Sequence, residues 1–296
     1  MPSPDALPPS RASSLFISAT PGLFVILWAT GFVGAKLGLP YAPPLKFLLW
    51  RFVVVIALMA PLALITGAPW PRGRKIAHVA VAGVLLQAGY LAGVFVAISL
   101  GLSAGLAALI VGTQPILTAV AGPLVGERVT PRQWAGLALG FVGVAMVLSN
   151  KIGLGGFGWG AVSFAVLALV TITGGTLYQK RFCGGEDLRT QSVVQFIAAG
   201  AVLLPFSLAF ETREVVWSAP LVFAIGWLVI VLSLGATTLL LLLIRRGAAT
   251  SVTSLMYLVP PVTALIAFFM FDERLTIISF AGMAVTVAGV AMVMRK

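Results

Sequence analysis

The sequence predicts an all-α integral membrane protein of ten transmembrane helices, arranged as two inverted-topology five-helix repeats around a central cavity. Three observations carry this expectation. Of the 296 residues, 60% are hydrophobic and 9% charged. Apolar runs of about 17–25 residues recur along the whole length, each long enough to cross a hydrocarbon core of about 30 Å. The second half also echoes the first at a fixed offset. A water-soluble domain carries roughly 25% charged residues and has no use for so much apolar surface. Length then allows about ten spans with short loops, which excludes an additional soluble catalytic or regulatory domain.

Residues 1–14 are rich in Pro and Ser and read as a short flexible cytoplasmic tail. The apolar run from Leu15 exceeds a signal-peptide core of about 7–15 residues and is followed by many more spans, so it stays as the first helix. The spans of the first repeat, residues 15–150, are Leu15–Leu37, Pro44–Thr66, Ile76–Leu100, Ser103–Val125 and Pro131–Leu148. Those of the second, residues 151–296, are Trp159–Gln179, Ser192–Phe210, Leu221–Ile244, Ser251–Phe271 and Thr276–Met294. The two repeats form one structural unit.

A formal charge of +11 would raise nucleic acid as a partner in a soluble protein. Here the cations sit in short loops between apolar runs, which is a topology signal and not a binding stripe. An N-terminus inside puts Arg11, Arg72, Arg74, Lys75, Arg128, Arg132, Lys180, Arg181, Arg189, Arg245, Arg246, Arg295 and Lys296 on the cytoplasmic side. Lys36, Lys46, Lys151, Arg213 and Arg274 remain outside. Both termini are therefore expected in the cytoplasm, which requires an even number of spans. The expected location is a bacterial-type cytoplasmic (inner) membrane. One Cys, Cys183, and one His, His78, cannot assemble a metal site, and no cofactor is expected.

Sliding the chain by about 146 residues, the separation of Gly143 and Gly289, aligns Gly101–Asn150 with Gly247–Lys296 without a gap, at about 15 of 50 identical positions. Pro115 falls on Pro261, Glu127 and Arg128 on Glu273 and Arg274, and Thr130 on Thr276. Gly136 falls on Gly282, and Gly143–Val147 on the same five residues at Gly289–Val293. Five helices per repeat is an odd number, so the second half enters the membrane from the opposite face. Inverted repeats produce two conformations by exchanging the halves, which points to alternating-access transport.

The stretch Ser103–Leu148, with Pro115, Glu127-Arg128-Val129-Thr130, Gln133-Trp134-x-Gly136 and Gly143-Val144, resembles the second half of a repeat in the drug/metabolite transporter superfamily, EamA-like branch. Its echo runs from Ser251 through Pro261, Glu273-Arg274-Leu275-Thr276 and Gly282 to Gly289. Trp28 and Arg51 also stand where that family tends to place them. The resemblance covers nearly the whole chain. It implies a ten-helix fold with a central cavity and export of small organic metabolites, amino acids being the commonest. Within the superfamily the chain looks most like the YddG-type aromatic amino acid exporters, which implies aromatic and other neutral amino acids as substrates. Drug-like or other metabolites are the alternative, and a sugar-phosphate carrier would need a more basic cavity than Lys36 and Arg51 supply.

Prolines inside spans free the carbonyl four residues earlier, which is tolerated beside a cavity or a neighbouring helix. Pro115, Pro260 and Pro261 are thus expected to kink the fourth and ninth spans and bring Gln114 and Tyr257 to the transport path. Polar groups within spans normally face protein or a cavity. Gln87, Tyr90, Gln114, Thr171, Thr173, Thr176 and Gln195 are candidates, with Trp28, Tyr90 and Tyr257 supplying aromatic faces. The set suits an amphipathic amino acid. Arg51 is a candidate partner for a substrate carboxylate, although snorkelling outward or capping helix ends is the reading the sequence favours. All eight acids lie in the tail, loops or helix ends, so no carboxylate is left in the bilayer to bind a lipophilic cation or relay a proton. An intramembrane enzyme would need a catalytic acid, a His cluster or a Ser/Lys pair within the bilayer; with one His and no acid in a span, enzymatic activity is not expected. Gly136, Gly140, Gly143, Gly282 and Gly289 form small-residue faces expected to pack the repeats, or a weak homodimer, together. The expected partners are the small-molecule substrate and the lipid bilayer, with the chain acting as a monomer or weak homodimer.

Overall fold

The structure is a computed structural model that describes residues 11–102, 107, 110–126, 128–148, 158–246, 249–271 and 276–294. The tail before Arg11, much of the start of the fourth predicted span, and Glu127, Lys151, Asp272, Glu273, Arg274, Arg295 and Lys296 lie outside the described residues, as do the side chains of Arg11, Lys36, Arg245 and Arg246. Every regular element among the described residues is helical.

The helices are α1 (Arg11–Gly38), α2 (Pro44–Ile65), α3 (Arg74–Ser99), α4 (Gln114–Ala121, continued by a 3-10 turn at Gly122–Val125), α5 (Pro131–Leu148), α6 (Trp159–Phe182) and α7 (Leu188–Phe210). Next come α8 (Ala219–Trp227, Leu228–Ala236 and Thr237–Arg246 in succession), α9 (Ala249–Ser254, Leu255–Leu258 and Val259–Phe271) and α10 (Ile277–Met294). Prolines open several of them, at Pro44, Pro131 and Pro220, where the missing N–H costs nothing and the fixed φ suits a first turn. Asp187 caps α7, its carboxylate accepting the Arg189 N–H at 2.9 Å. The Arg189 side chain also bonds that carboxylate, which holds its pKa below the usual range.

Among the described residues, six helices, α2, α3, α6, α7, α8 and α10, are 18–26 residues long and apolar enough to cross a membrane. Shorter apolar stretches lie at Thr20–Gly31 in α1 and Val252–Thr263 in α9. This is a multi-pass membrane protein. Three helices are interrupted. α3 and α8 each carry a π-helical stretch, Val84–Gly89 and Leu228–Ala236, and these coincide at the repeat offset. α9 tightens to a 3-10 turn at Leu255–Leu258 just before Pro260 and Pro261. Pro115 occupies the first turn of α4, which starts after a turn at Gly112 and Thr113.

Packing follows the glycines. α5 and α10 lie face to face and antiparallel, Gly136 against Gly289 and Gly143 against Gly282. A Cβ on Gly282 would stand 2.7 Å from the Gly143 carbonyl oxygen, so the close approach requires glycine there. The small-residue faces therefore pair with each other within one chain. α2 and α7 are also antiparallel neighbours, joined by the Phe52 and Phe196 rings at 5.3 Å. α1 packs on α8, Gly31 under Leu232, while α6 packs on α3, Gly175 under Leu86.

Candidate functional site

Where α1, α2, α3, α6 and α8 converge they leave a narrow cavity of about 40 Å³. That is room for water and not for a metabolite, so the walls must move before anything larger enters. The wall from α1 carries Trp28, Gly31 and Ala35; α3 contributes Leu86, Gln87, Tyr90 and Phe95. α6 adds Ile172, and α8 closes the space with Leu232, Thr237 and Leu240. Both π-helical stretches border it. A π turn widens the backbone by one residue and displaces the side chains it carries, a device common at functional sites.

Trp28 and Tyr90 stack at 6.2 Å with 14° between ring planes, and Phe24 tilts against Trp28 from behind at 5.2 Å. Gln87 and Tyr90 stand nearly a turn apart on α3, so an amide and an aromatic face share one wall.

Arg51 corrects the expectation that it would snorkel. It is 2% exposed, turned inward from α2, and lines the cavity. Its Nε donates to the Ser233 hydroxyl at 2.9 Å, while Nη1 is buried with no partner among the described residues. Snorkelling fails because α2 packs on α7 and faces α3 and α8 at this level, leaving the side chain no route outward. A buried guanidinium with an unused donor is costly unless a charge or hydrogen bond completes it.

The other sequence candidates lie outside the cavity wall. Gln114 donates to the Thr176 hydroxyl at 3.2 Å, leaving its own carbonyl oxygen unpartnered. Gln195 donates to the Gln179 carbonyl oxygen at 2.9 Å. Thr171 and Thr173 bond back to their own helix, at Leu167 and Leu169, as threonines in apolar helices commonly do. Tyr257, in the 3-10 turn of α9, is fully buried against Gly140 of α5, and its hydroxyl has no partner. Pro115, Pro260 and Pro261 mark the restarts of α4 and α9 at the edge of this region.

Sequence reasoning missed Ser233 and the two π-helical stretches. A signal existed, since Ser233 is the repeat counterpart of Gln87 and Leu232 that of Leu86. It also missed Glu211, whose carboxylate accepts the Leu45 and Lys46 N–H groups at 2.7 and 2.8 Å and caps α2 from far along the chain.

The EamA-like transporter family model matches the chain twice, over residues 22–149 and 159–295. An uncharacterized inner membrane transporter of Escherichia coli, YedA, is 28% identical, over 90% of this chain and 87% of that one. A probable amino-acid metabolite efflux pump of Salmonella typhimurium is 26% identical over 90% and 91%. A probable terminal-alkyne amino-acid exporter of Streptantibioticus cattleyicolor is 27% identical over 93% and 92%. A solved crystal structure, 19% identical, superposes with a TM-score of 0.75 over 93% of this chain and 95% of that one, which speaks to the fold. Two family matches that together cover nearly all of the chain, on a helical membrane fold, settle its membership: the chain belongs to the EamA-like transporter family.

Proposed function

We propose that this chain exports small neutral amino acids, aromatic ones included, by alternating access through the cavity at Trp28, Gln87, Tyr90 and Arg51. The observation that carries the reading is an aromatic cavity enclosed by helices of both halves, with Arg51 as its cation among the described side chains. The proposed frame is ten spans in two five-helix repeats of opposite sense, with both termini cytoplasmic. Its support is geometric. The repeat-related helices α5 and α10 run antiparallel, and so do α2 and α7. Exchanging the halves turns the α1–α8 contact, where Gly31 meets Leu232, into the α6–α3 contact, where Gly175 meets Leu86, as a correspondence of helices. Two halves inserted the same way up would place related helices parallel.

Amino-acid substrates are favoured by the exporter and efflux names of the relatives and by the chemistry of the wall, and the stacked aromatics suit the narrower YddG-type resemblance. Trp28 and Tyr90 offer flat apolar faces, and Gln87 offers an acceptor and a donor. Sugar phosphates would call for several cations, and among the described side chains Arg51 is the cation on this wall. One chain encloses the cavity, so a monomer suffices as the working unit.

Proteoliposome counterflow tests the reading. Labelled phenylalanine, methionine and threonine should accumulate faster in proteoliposomes preloaded with the same unlabelled compound than in protein-free vesicles. A labelled sugar phosphate should not. Faster counterflow of the sugar phosphate than of every amino acid would overturn the assignment.

A further inference from the structure

Arg51 makes the electrostatics of the cavity one-sided. Among the described residues no carboxylate lines it: Glu186, Asp187, Glu211 and Glu214 all stand in helix connections. The other described groups on the wall are neutral, so the cavity carries the uncompensated charge of a guanidinium whose Nη1 has no acceptor among the described residues. Ser233 holds Nε at 2.9 Å. That contact fixes the plane of the fork and leaves the unused donor for an anion, the geometry in which a carboxylate is recognised.

The three charge types then rank without reference to side-chain fit. A monocarboxylate neutralises Arg51. A zwitterionic amino acid places its carboxylate there, but its ammonium finds neutral groups, among them the Gln87 amide oxygen, the Thr237 hydroxyl and aromatic faces, and no counter-anion among the described residues. A plain amine adds a second cation in a space screened from water, where like charges repel strongly.

We infer that the group this site recognises is the carboxylate of an apolar-tailed molecule, the α-amino group being dispensable, so that aromatic monocarboxylates are ligands alongside amino acids. The inference rests on the cavity's being the transport site.

The probes are 3-phenylpropionate, which keeps the carboxylate and lacks the amine, and phenethylamine and phenylalaninol, which keep the amine and lack the carboxylate. Against counterflow of labelled phenylalanine, 3-phenylpropionate should compete within about threefold of phenylalanine itself, and both amines at least about tenfold more weakly. Arg51→Gln should abolish that discrimination. Arg51→Lys, which keeps charge without the fork, should retain part of it. Where Arg51→Gln fails to yield folded protein, Ser233→Ala, which frees the guanidinium, should narrow the same gap. Equal competition by phenethylamine and 3-phenylpropionate overturns the inference while leaving phenylalanine transport intact. Uptake of labelled 3-phenylpropionate without uptake of phenylalanine sustains it and overturns the amino-acid reading instead. Movement of neither compound overturns both.

Discussion

At the scale of single residues, the bundle interior holds polar atoms whose demands are not all met. Tyr257 is the clearest. Its ring fills the notch left by Gly140, where a Cβ would come within 2.7 Å of Cδ2, yet its hydroxyl is buried without a partner. Ring and hydroxyl therefore contribute with opposite sign. Burying an unsatisfied hydroxyl costs about 1–3 kcal/mol, whereas a buried aromatic ring stabilises by about 3–5 kcal/mol on truncation data. Tyr257→Phe should leave the thermal unfolding midpoint in detergent unchanged or raise it, and Tyr257→Ala should lower it clearly. A lowered midpoint in Tyr257→Phe would mean that the hydroxyl is satisfied after all. Arg51 shows the limit of reading such residues from sequence. Its position within a span was legible, but a span does not say which way a side chain turns, and the orientation depends on α2 being walled in by α3, α7 and α8. Trp28, Gln87 and Tyr90 were legible as costly or aromatic groups within spans. Gln114 and Thr173 looked the same in sequence and instead spend their polar groups on Thr176 and Leu169.

At the scale of elements, the pairing of α5 with α10 is set by backbone approach. The sequence showed the glycines and their repetition, and helix boundaries of α2, α5 and α7 came out within a few residues because prolines and apolar runs punctuate them. The π-helical stretches in α3 and α8 were not legible, since a one-residue widening leaves no mark on hydropathy. Glycines that look alike in sequence should behave in opposite ways. A Cβ at Gly143 would meet the Gly282 carbonyl oxygen at 2.7 Å, while one at Gly174 on α6 would meet nothing within 4 Å. Gly143→Ala should therefore push α5 from α10 and cost about 1–3 kcal/mol. Gly174→Ala should be neutral or stabilise by about 0.4–1 kcal/mol, because a helical glycine mainly loosens the unfolded chain. Unfolding midpoints of the two variants, measured in the same detergent, check the contrast. Equal effects would mean that the α5–α10 contact is not the tight one.

At the scale of the molecule, two sets of ties close opposite ends of the bundle. At one end the connection after α7 grips the connection before α2. Glu211 accepts the Leu45 and Lys46 N–H groups, the Val216 N–H reaches the Tyr41 carbonyl at 2.8 Å, and the Arg213 guanidinium reaches the Leu39 carbonyl at 2.9 Å. At the other end the Thr190 hydroxyl bonds the Pro69 carbonyl at 2.8 Å, and Lys75 pairs with Glu186 at 2.7 Å. Exchanging the halves converts the first pair of connections into the second, so the ends are built alike but tied by different groups. If the cavity of about 40 Å³ is the proposed transport path, it can pass a substrate only when these ends open in turn. The Glu211 tie caps α2 as an N-cap side chain would, and losing such a cap costs about 0.5–2 kcal/mol. Removing it should tilt the population toward opening at that end by a factor of about 2–30. In a Cys183→Ser background, Ala35→Cys on the cavity wall reports access. In the proposed orientation, which puts both termini in the cytoplasm, Glu211→Ala should speed labelling of that cysteine in intact cells by a membrane-impermeant maleimide, about tenfold near the middle of that range. Lys75→Ala, at the far end, should leave it unchanged or slow it. Identical labelling rates in the two variants would mean that the ties are ornaments of the loops and that some other contact governs which face is closed.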